Sequence, residues 1–239
     1  MIVYGSILSP FTRKVLAFAR EKGLTPELRA AGLGQGGVEF EQASPFGKIP
    51  GFRDQGIDGD DDFVLSDSSA IIAYLDAKYP MPNLIPVDPR GRGLTAWFDE
   101  FADTIVIPET GPIFVNRFLL PCIKGRPGDA QAARFAERVT LPRMLDYLER
   151  IVPDSRFLVE DRITLADIAV ASTMLNPLLA GARIDGDRWP RADAYLQSIF
   201  ARCSFAPMIE EARILVTMFA AAAGDRAIAD ITEGYRSIG

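Results

Sequence analysis

Three short stretches carry the groups that could do chemistry: Ser9-Pro10-Phe11-Thr12, Ser44 to Pro50, and Asp67-Ser68-Ser69. Ser9 is placed as the N-cap of a helix, with Pro10 at the first helical position, where a missing N–H costs nothing. The same hydroxyl sits where a helix N-terminus favours an anion. A free thiol is mostly protonated at neutral pH, and a hydroxyl donor at a helix start lowers its pKa. Such a donor needs no partner base if its task is to stabilise a thiolate brought in by a ligand. In the second stretch, Pro50 opens an apolar strand-like segment and cannot donate a ladder hydrogen bond. The main chain of Ile49 is then left free to pair with an extended peptide, with the Ile49-Pro50 bond cis. In the third, Asp67 suits an α-ammonium, and Ser68, through hydroxyl and N–H, suits a neighbouring α-carboxylate. Each stretch also has a plainer reading: a cap, a strand after a turn, and a solvated first turn of a helix. Lys48 reads first as a surface cation.

Two absences narrow the chemistry. The 239 residues include no histidine, which removes Ser-His-Asp and Cys-His nucleophile pairs and histidine metal sites. The two cysteines, Cys122 and Cys203, lie far apart and form no Cys-x-x-Cys, so neither a zinc or iron–sulfur site nor dithiol redox chemistry is expected. Two isolated cysteines suit a reducing compartment, and a cytoplasmic location is expected. The net charge of −6 argues against nucleic acid or an anionic membrane as partner. The N-terminus has no basic segment ahead of an apolar core, as a secretory signal would. The longest nearly apolar run, Ile214 to Ala223, is too short to span a bilayer.

The elements that must position these residues follow in chain order. Ile2-Val3-Tyr4 reads as a strand, and the helix after Ser9 carries Phe11, Val15, Phe18 and Lys22 on one face before Gly23 ends it. A second strand is expected over Leu28 to Ala31, then a loop over Gly32 to Gly37. Phe52-Arg53 and Phe63-Val64-Leu65 form a hairpin around the acidic turn Asp54 to Asp62, and a helix runs from about Asp67 to Lys78. The order is βαβ, then ββα: an α/β thioredoxin-like unit over residues 1–80. Pro80 to Pro86 breaks all periodicity, giving a linker at 81–87. From residue 88 to 239 strand signals vanish and an all-α domain is expected. Its first helix, about Leu94 to Leu120, should kink or split at Pro108 and Gly111-Pro112. A helix over Asp129 to Ile151 should bend at Pro142. Others cover Leu165 to Leu175, Trp189 to Arg202 and Ala206 to Ala223, and a polar tail follows Gly224. Thr164-Leu165-Ala166-Asp167 reads as a capping box, which makes Asp167 structural.

Together these residues closely resemble the cytosolic glutathione transferases of the serine-dependent kind, tau-like or theta-like. The resemblance rests on Ser9-Pro10-Phe11, on Gly47-Lys48-Ile49-Pro50 and on Asp67-Ser68. It extends to about Ala212, including Arg202-Cys203-Ser204-Phe205 where the family usually has Arg-Pro-Ser-Phe. It implies that Ser9 activates the glutathione thiol and that Lys48, Ile49, Pro50, Asp67 and Ser68 bind glutathione, with no metal. Asp67 stands where glutamate is commoner. Tyr4 and Thr12 are minor alternatives as thiol activators. The implied activity is conjugation to a small hydrophobic electrophile held by Leu8, Phe11, Ile105, Phe114 and Phe118, although aromatics at helical spacing are more often core. A glutathione-dependent isomerase, dehalogenase or bond-cleaving enzyme, or a non-catalytic binding protein, are the other readings. The family is usually dimeric, and Trp97, Phe98 and Phe101 offer apolar surface for a homodimer.

Overall fold

The computed structural model describes residues 1–56 and 62–224. Four strands, β1 (Ile2–Gly5), β2 (Glu27–Ala30), β3 (Gly51–Asp54) and β4 (Phe63–Ser66), form one mixed sheet in the order β2-β1-β3-β4. β1 runs parallel to β2 and antiparallel to β3, and β3 pairs antiparallel with β4. The parallel crossover from β1 to β2 is made by helix α1 (Pro10–Glu21). Side-chain alternation sorts the two faces of the sheet. Ile2 and Tyr4 point to the side of helix α2 (Gly37–Ala43), where they cluster with Phe40 and Ala43. Phe52 lies on the other side, with its ring 5.8 Å from Tyr74 of helix α3 (Ser68–Lys78). α1 and α3 pack together on that second face. This is the thioredoxin-like arrangement.

Helix α2 was not expected; the sequence reading gives a loop over Gly32 to Gly37 and assigns no element to residues 38–43. It is only seven residues long and its N-cap is Gly36, at φ 130° with no side-chain hydrogen bond, so the usual start signal is missing. Gly23 ends α1 as anticipated, with φ +75° and its N–H donating to the Arg20 carbonyl. Lys22 just before it is almost fully buried, and its ammonium donates to the carbonyls of Tyr79 (2.7 Å) and Pro82 (3.0 Å) and pairs with Asp76 (2.8 Å). One cation thus ties the end of α1 to the chain leaving α3.

The chain folds as two compact units, Met1–Val87 and a second beginning at Asp88. Among its described residues the second unit is wholly helical: α4 (Pro89–Phe101), α5 (Ile107–Phe114), α6 (Ala130–Phe135), α7 (Leu141–Ile151), α8 (Leu165–Leu179), α9 (Pro190–Phe200) and α10 (Ala206–Ala223). The helix does not break at Pro108 or Pro112, both of which lie within α5; it runs on from α4 past α5, with a π-helical stretch, Ala102–Val106, ahead of Pro108 and another, Val115–Ile123, around Pro121. Ala136–Thr140 is a further such stretch, ahead of Pro142. A wider i→i+5 turn accommodates a proline that cannot donate to the regular ladder. α8 is buried along its whole length, as a helix apolar all round must be, and α4, α5, α9 and α10 pack on it. The turn residues 57–61 and the polar tail expected after Gly224 lie outside the described residues. No helix among the described residues is long and apolar enough to cross a membrane.

At the start of α8 the capping box is formed. Thr164 N–H donates to Asp167 Oδ2 at 2.9 Å and Leu158 N–H to Oδ1 at 2.8 Å. Burial pushes the Asp167 carboxyl up to about 6, against the opposing pull of the Leu158 and Thr164 hydrogen bonds. The folded value therefore lies above the unfolded one, and the native state binds this proton more tightly. Asp167 titration adds stability that is complete below the unfolded pKa and is lost as pH rises through about 6. Urea unfolding across that window should show the unaltered protein losing about 2–3 kcal/mol relative to Asp167→Asn as pH rises. A difference between the two proteins that does not change with pH would contradict this assignment.

Candidate functional site

The loop leaving β1 is held at every step. Ser9 N–H donates to the Ser6 carbonyl (2.9 Å), Leu8 N–H to Ser6 Oγ (3.2 Å), and the buried Arg13 guanidinium to the Ile7 carbonyl (2.8 Å). Burial disfavours the charged form of Arg13. Ser9 then adopts the extended N-cap conformation, φ −81° and ψ 125°, and its Oγ accepts from Thr12 N–H at 3.4 Å. An oxygen that accepts from the helix keeps its own proton to donate elsewhere. Gly5 permits this packing: a Cβ there would collide with Thr12 Oγ1.

The two alternative hydroxyls are placed differently. Tyr4 is buried on the α2 side of the sheet and donates to Glu39 Oε2 at 3.0 Å. Burial first, and then the Glu39 carboxylate, raise its pKa, and its one proton is already given to Glu39 on the α2 side of the sheet. Thr12 is fully buried, and its Oγ1 has no hydrogen-bond partner among the described residues. Ser9, half-buried, is the accessible hydroxyl of the three.

Before β3, the Ile49–Pro50 peptide bond is cis, as is Met81–Pro82. The Ile49 side chain packs against the cluster of Ile2, Tyr4, Ala31, Phe40 and Ala43, while its N–H and C=O have no partner among the described residues. A seated side chain with an open main chain is an edge that a peptide can extend. Lys48 beside it is exposed.

After β4, Asp67 caps α3: Oδ1 accepts from Ser69 N–H (3.0 Å) and Ala70 N–H (3.1 Å). Its backbone takes φ +80°, a conformation L-residues rarely adopt and which concentrates at functional positions. The residue is exposed, and Oδ2 has no hydrogen-bond partner among the described residues. Ser68, at the first helical position, is 3% exposed, and its N–H is one of the helix's orphan donors. Lys14 of α1 adds a buried cation near this turn, donating to Ser69 Oγ at 3.2 Å. Arg13 and Lys14 were not singled out in sequence, because charges next to a helix start read as solvated.

Strand register brings the three stretches together. Tyr4 pairs with Gly51, and Gly51 with Ser66. The C-terminal end of β1, the N-terminal end of β3 and the C-terminal end of β4 therefore lie side by side, at spacings of about 5 Å between strands. The Ser6–Ser9 loop, the Ile49 main chain and Asp67-Ser68 all emerge at that one end of the sheet.

Of the residues expected to touch an electrophile, Leu8 and Phe11 are half-buried in the first unit, flanking Ser9. In the second unit, Phe118 is fully buried, with its ring 5.1 Å from Phe114 and 6.4 Å from Phe219, packing that requires no ligand. Ile105 is 41% exposed. On α4, Phe98 and Phe101 are buried, whereas Trp97, stacked on Phe101 at 5.2 Å, and Leu94 are exposed.

Residues 3–83 match the glutathione S-transferase N-terminal domain family, and residues 123–206 match the C-terminal domain family. Human glutathione S-transferase theta-2B is 30% identical over 195 residues, covering 79% of this chain and 76% of that one. Human glutathione S-transferase theta-1 is 27% identical over 205 residues, covering 83% and 82%. Among solved structures, apo human glutathione-S-transferase T1-1 superposes with a TM-score of 0.74 at 22% identity, over 99% of both chains. A glutathione S-transferase from Rhodospirillum rubrum F11 gives 0.76 at 24%, over 86% of this chain and 90% of that one. At those identities the structures speak for the fold, and the sequence matches speak for descent. The chain belongs to the cytosolic glutathione S-transferase family.

Proposed function

We propose that the protein is an enzyme that conjugates the thiolate of glutathione to a small hydrophobic electrophile. The observation that carries this reading is the convergence of the Ser9 hydroxyl, the open Ile49 main chain and the Asp67-Ser68 turn at one end of the sheet. Residues 1–80 bind glutathione, residues 81–87 link, and residues 88–239 supply apolar contacts, of which Ile105 is the exposed one. The γ-glutamyl ammonium pairs with Asp67 Oδ2, and its carboxylate takes the Ser68 N–H and hydroxyl. The cysteinyl main chain bonds to the Ile49 N–H and C=O as an added strand, and Lys48 reaches for the glycine carboxylate. Leu8 and Phe11 offer apolar contact beside the sulfur.

The chemistry needs no protein base. A thiol near pKa 8.5 ionises more readily when its anion faces a helix N-terminus and a hydroxyl donor. Ser9 Oγ accepts from Thr12 N–H and donates its proton toward the sulfur, while the thiol proton leaves to water. The thiolate then attacks the electrophilic atom, forming the C–S bond as the leaving group departs or the π-bond electrons shift. A homodimer in the cytoplasm is the accompanying assignment, supported by exposed Leu94 and Trp97 on α4 and by two free cysteines.

Calorimetric titration with glutathione should give one site per chain, and mass analysis of products from a panel of aryl halides, enones and alkyl halides should reveal S-conjugates. Absence of glutathione binding would overturn the reading. Binding with products that lack the glutathionyl group would redirect it to isomerisation or bond cleavage.

A further inference from the structure

Between α2 and β3 the chain crosses Pro45, Phe46, Gly47 and Lys48, four consecutive exposed residues, before it reaches Ile49. Something must fix the direction of the Ile49 main chain if it is to receive a peptide, and the exposed residues have few contacts with which to do it. Ser44 stands at the head of this crossing and is 2% exposed. Its N–H donates to the Phe40 carbonyl at the end of α2 (2.7 Å), and its carbonyl accepts from Gly47 N–H (2.9 Å). Gly47 sits at φ +65°, which closes the turn. The Ser44 hydroxyl then spans the turn and donates to the Lys48 carbonyl at 2.6 Å. Among the described residues that last bond is the one side-chain tie on the peptide unit that carries the Ile49 N–H. At the far end the Ile49 side chain is seated against Phe40 and Ala43 and close to Gly32, where a Cβ would lie 3.2 Å from Ile49 Cγ2.

We propose that Ser44 is a positioning residue for peptide recognition: by holding the Lys48 carbonyl it orients the Ile49 N–H toward the ligand main chain. This rests on the glutathione reading above and deepens it. The Lys48 carbonyl and the Ile49 N–H belong to one planar peptide unit, so a hydrogen bond that fixes the first fixes the second. Removing the hydroxyl leaves a carbonyl on an exposed segment that water can satisfy, so folding loses little. Ligand binding loses more, because the edge must be ordered each time it is used. Ser44 is remote in role from thiol activation, which belongs to the Ser9 loop on the other side of β1.

The test uses S-methylglutathione, whose sulfur cannot ionise, alongside glutathione turnover. Ser44→Ala should weaken S-methylglutathione binding and raise the glutathione KM by about 3- to 10-fold. It should leave kcat at saturating glutathione, and the pKa of the pH–rate profile, unchanged. Ser44→Thr, which keeps a hydroxyl, should restore both affinities. If alanine prevents folding, Ser44→Cys, a weak donor of similar volume, carries the same comparison. Affinity indifferent to Ser44, or a variant that loses kcat and shifts the pH profile along with its melting temperature, would overturn the positioning role alone. An unaltered protein that binds no S-methylglutathione would overturn this inference and the proposed function together.

Discussion

Replacing Ser9 with alanine is expected to raise the pKa of bound glutathione by about 1–2 units, since a hydrogen bond to a charged group contributes about 1.5–3 kcal/mol. Turnover at neutral pH should fall about 10- to 100-fold in step with the thiolate fraction, and partial rescue should appear at higher pH. Glutathione affinity itself should change little, because in the proposed binding mode Asp67, Ser68 and Ile49 hold the peptide and Ser9 faces only the sulfur. Stability should drop by about 1 kcal/mol from the lost cap on α1. The double change Cys122→Ala and Cys203→Ala should leave conjugation nearly intact. Both cysteines lie in the helical unit, and burial pushes the Cys122 thiol up, away from a reactive thiolate. A Ser9→Ala protein fully active at neutral pH, with a cysteine-free protein that is not, would refute the mechanism. With Tyr4 bonded to Glu39 and Thr12 buried against Gly5, neither is placed to substitute for the lost hydroxyl.

What the sequence made legible here was punctuation and periodicity. Ser9-Pro10 marked a helix start, Gly23 its end, Pro50 a strand start, and Thr164 with Asp167 a reciprocal cap; each is a local rule with a backbone cause, and each bounds an element in the structure. Three features escaped for physical reasons. Helix α2 begins at a glycine with no capping side chain and is too short for a periodic signal. The prolines of the long helices read as breaks because a proline's cost is local, whereas the π-helical stretches ahead of Pro108 and Pro142 each spread over five residues. The role of Ser44 depends on where a turn brings the Lys48 carbonyl, which no spacing encodes. The aromatic stripe of Phe114 and Phe118 shows the converse: periodicity correctly reports that these rings are covered, but not by what. The site itself was legible as three separate fragments. Their meeting at one end of the sheet is a fact of register, Tyr4 to Gly51 to Ser66, and that register is a tertiary property.

The other large effect is expected at Asp67, whose two oxygens have separable duties. Oδ1 caps α3 through Ser69 and Ala70, and Oδ2 is the oxygen proposed to meet the ligand ammonium. Asp67→Ala removes both, leaving an ammonium without its charge partner and a helix without its cap. Glutathione affinity should fall about 10- to 100-fold and stability by about 1 kcal/mol. Asp67→Asn separates the two duties. Its carbonyl oxygen still accepts from the helix N–H groups, and asparagine tolerates positive φ better than most residues, so the melting temperature should hold. The charge is gone, and affinity should still fall about 10-fold or more. The deficit of Asp67→Asn should be larger for glutathione than for a glutathione analogue lacking the γ-glutamyl amine, because only the former carries the ammonium. Calorimetry on the two variants with the two ligands decides the matter. An Asp67→Asn protein that binds both ligands as tightly as the unaltered chain would place the γ-glutamyl end elsewhere on the molecule. Equal losses for the two ligands would mean that Asp67 acts only by shaping the start of α3.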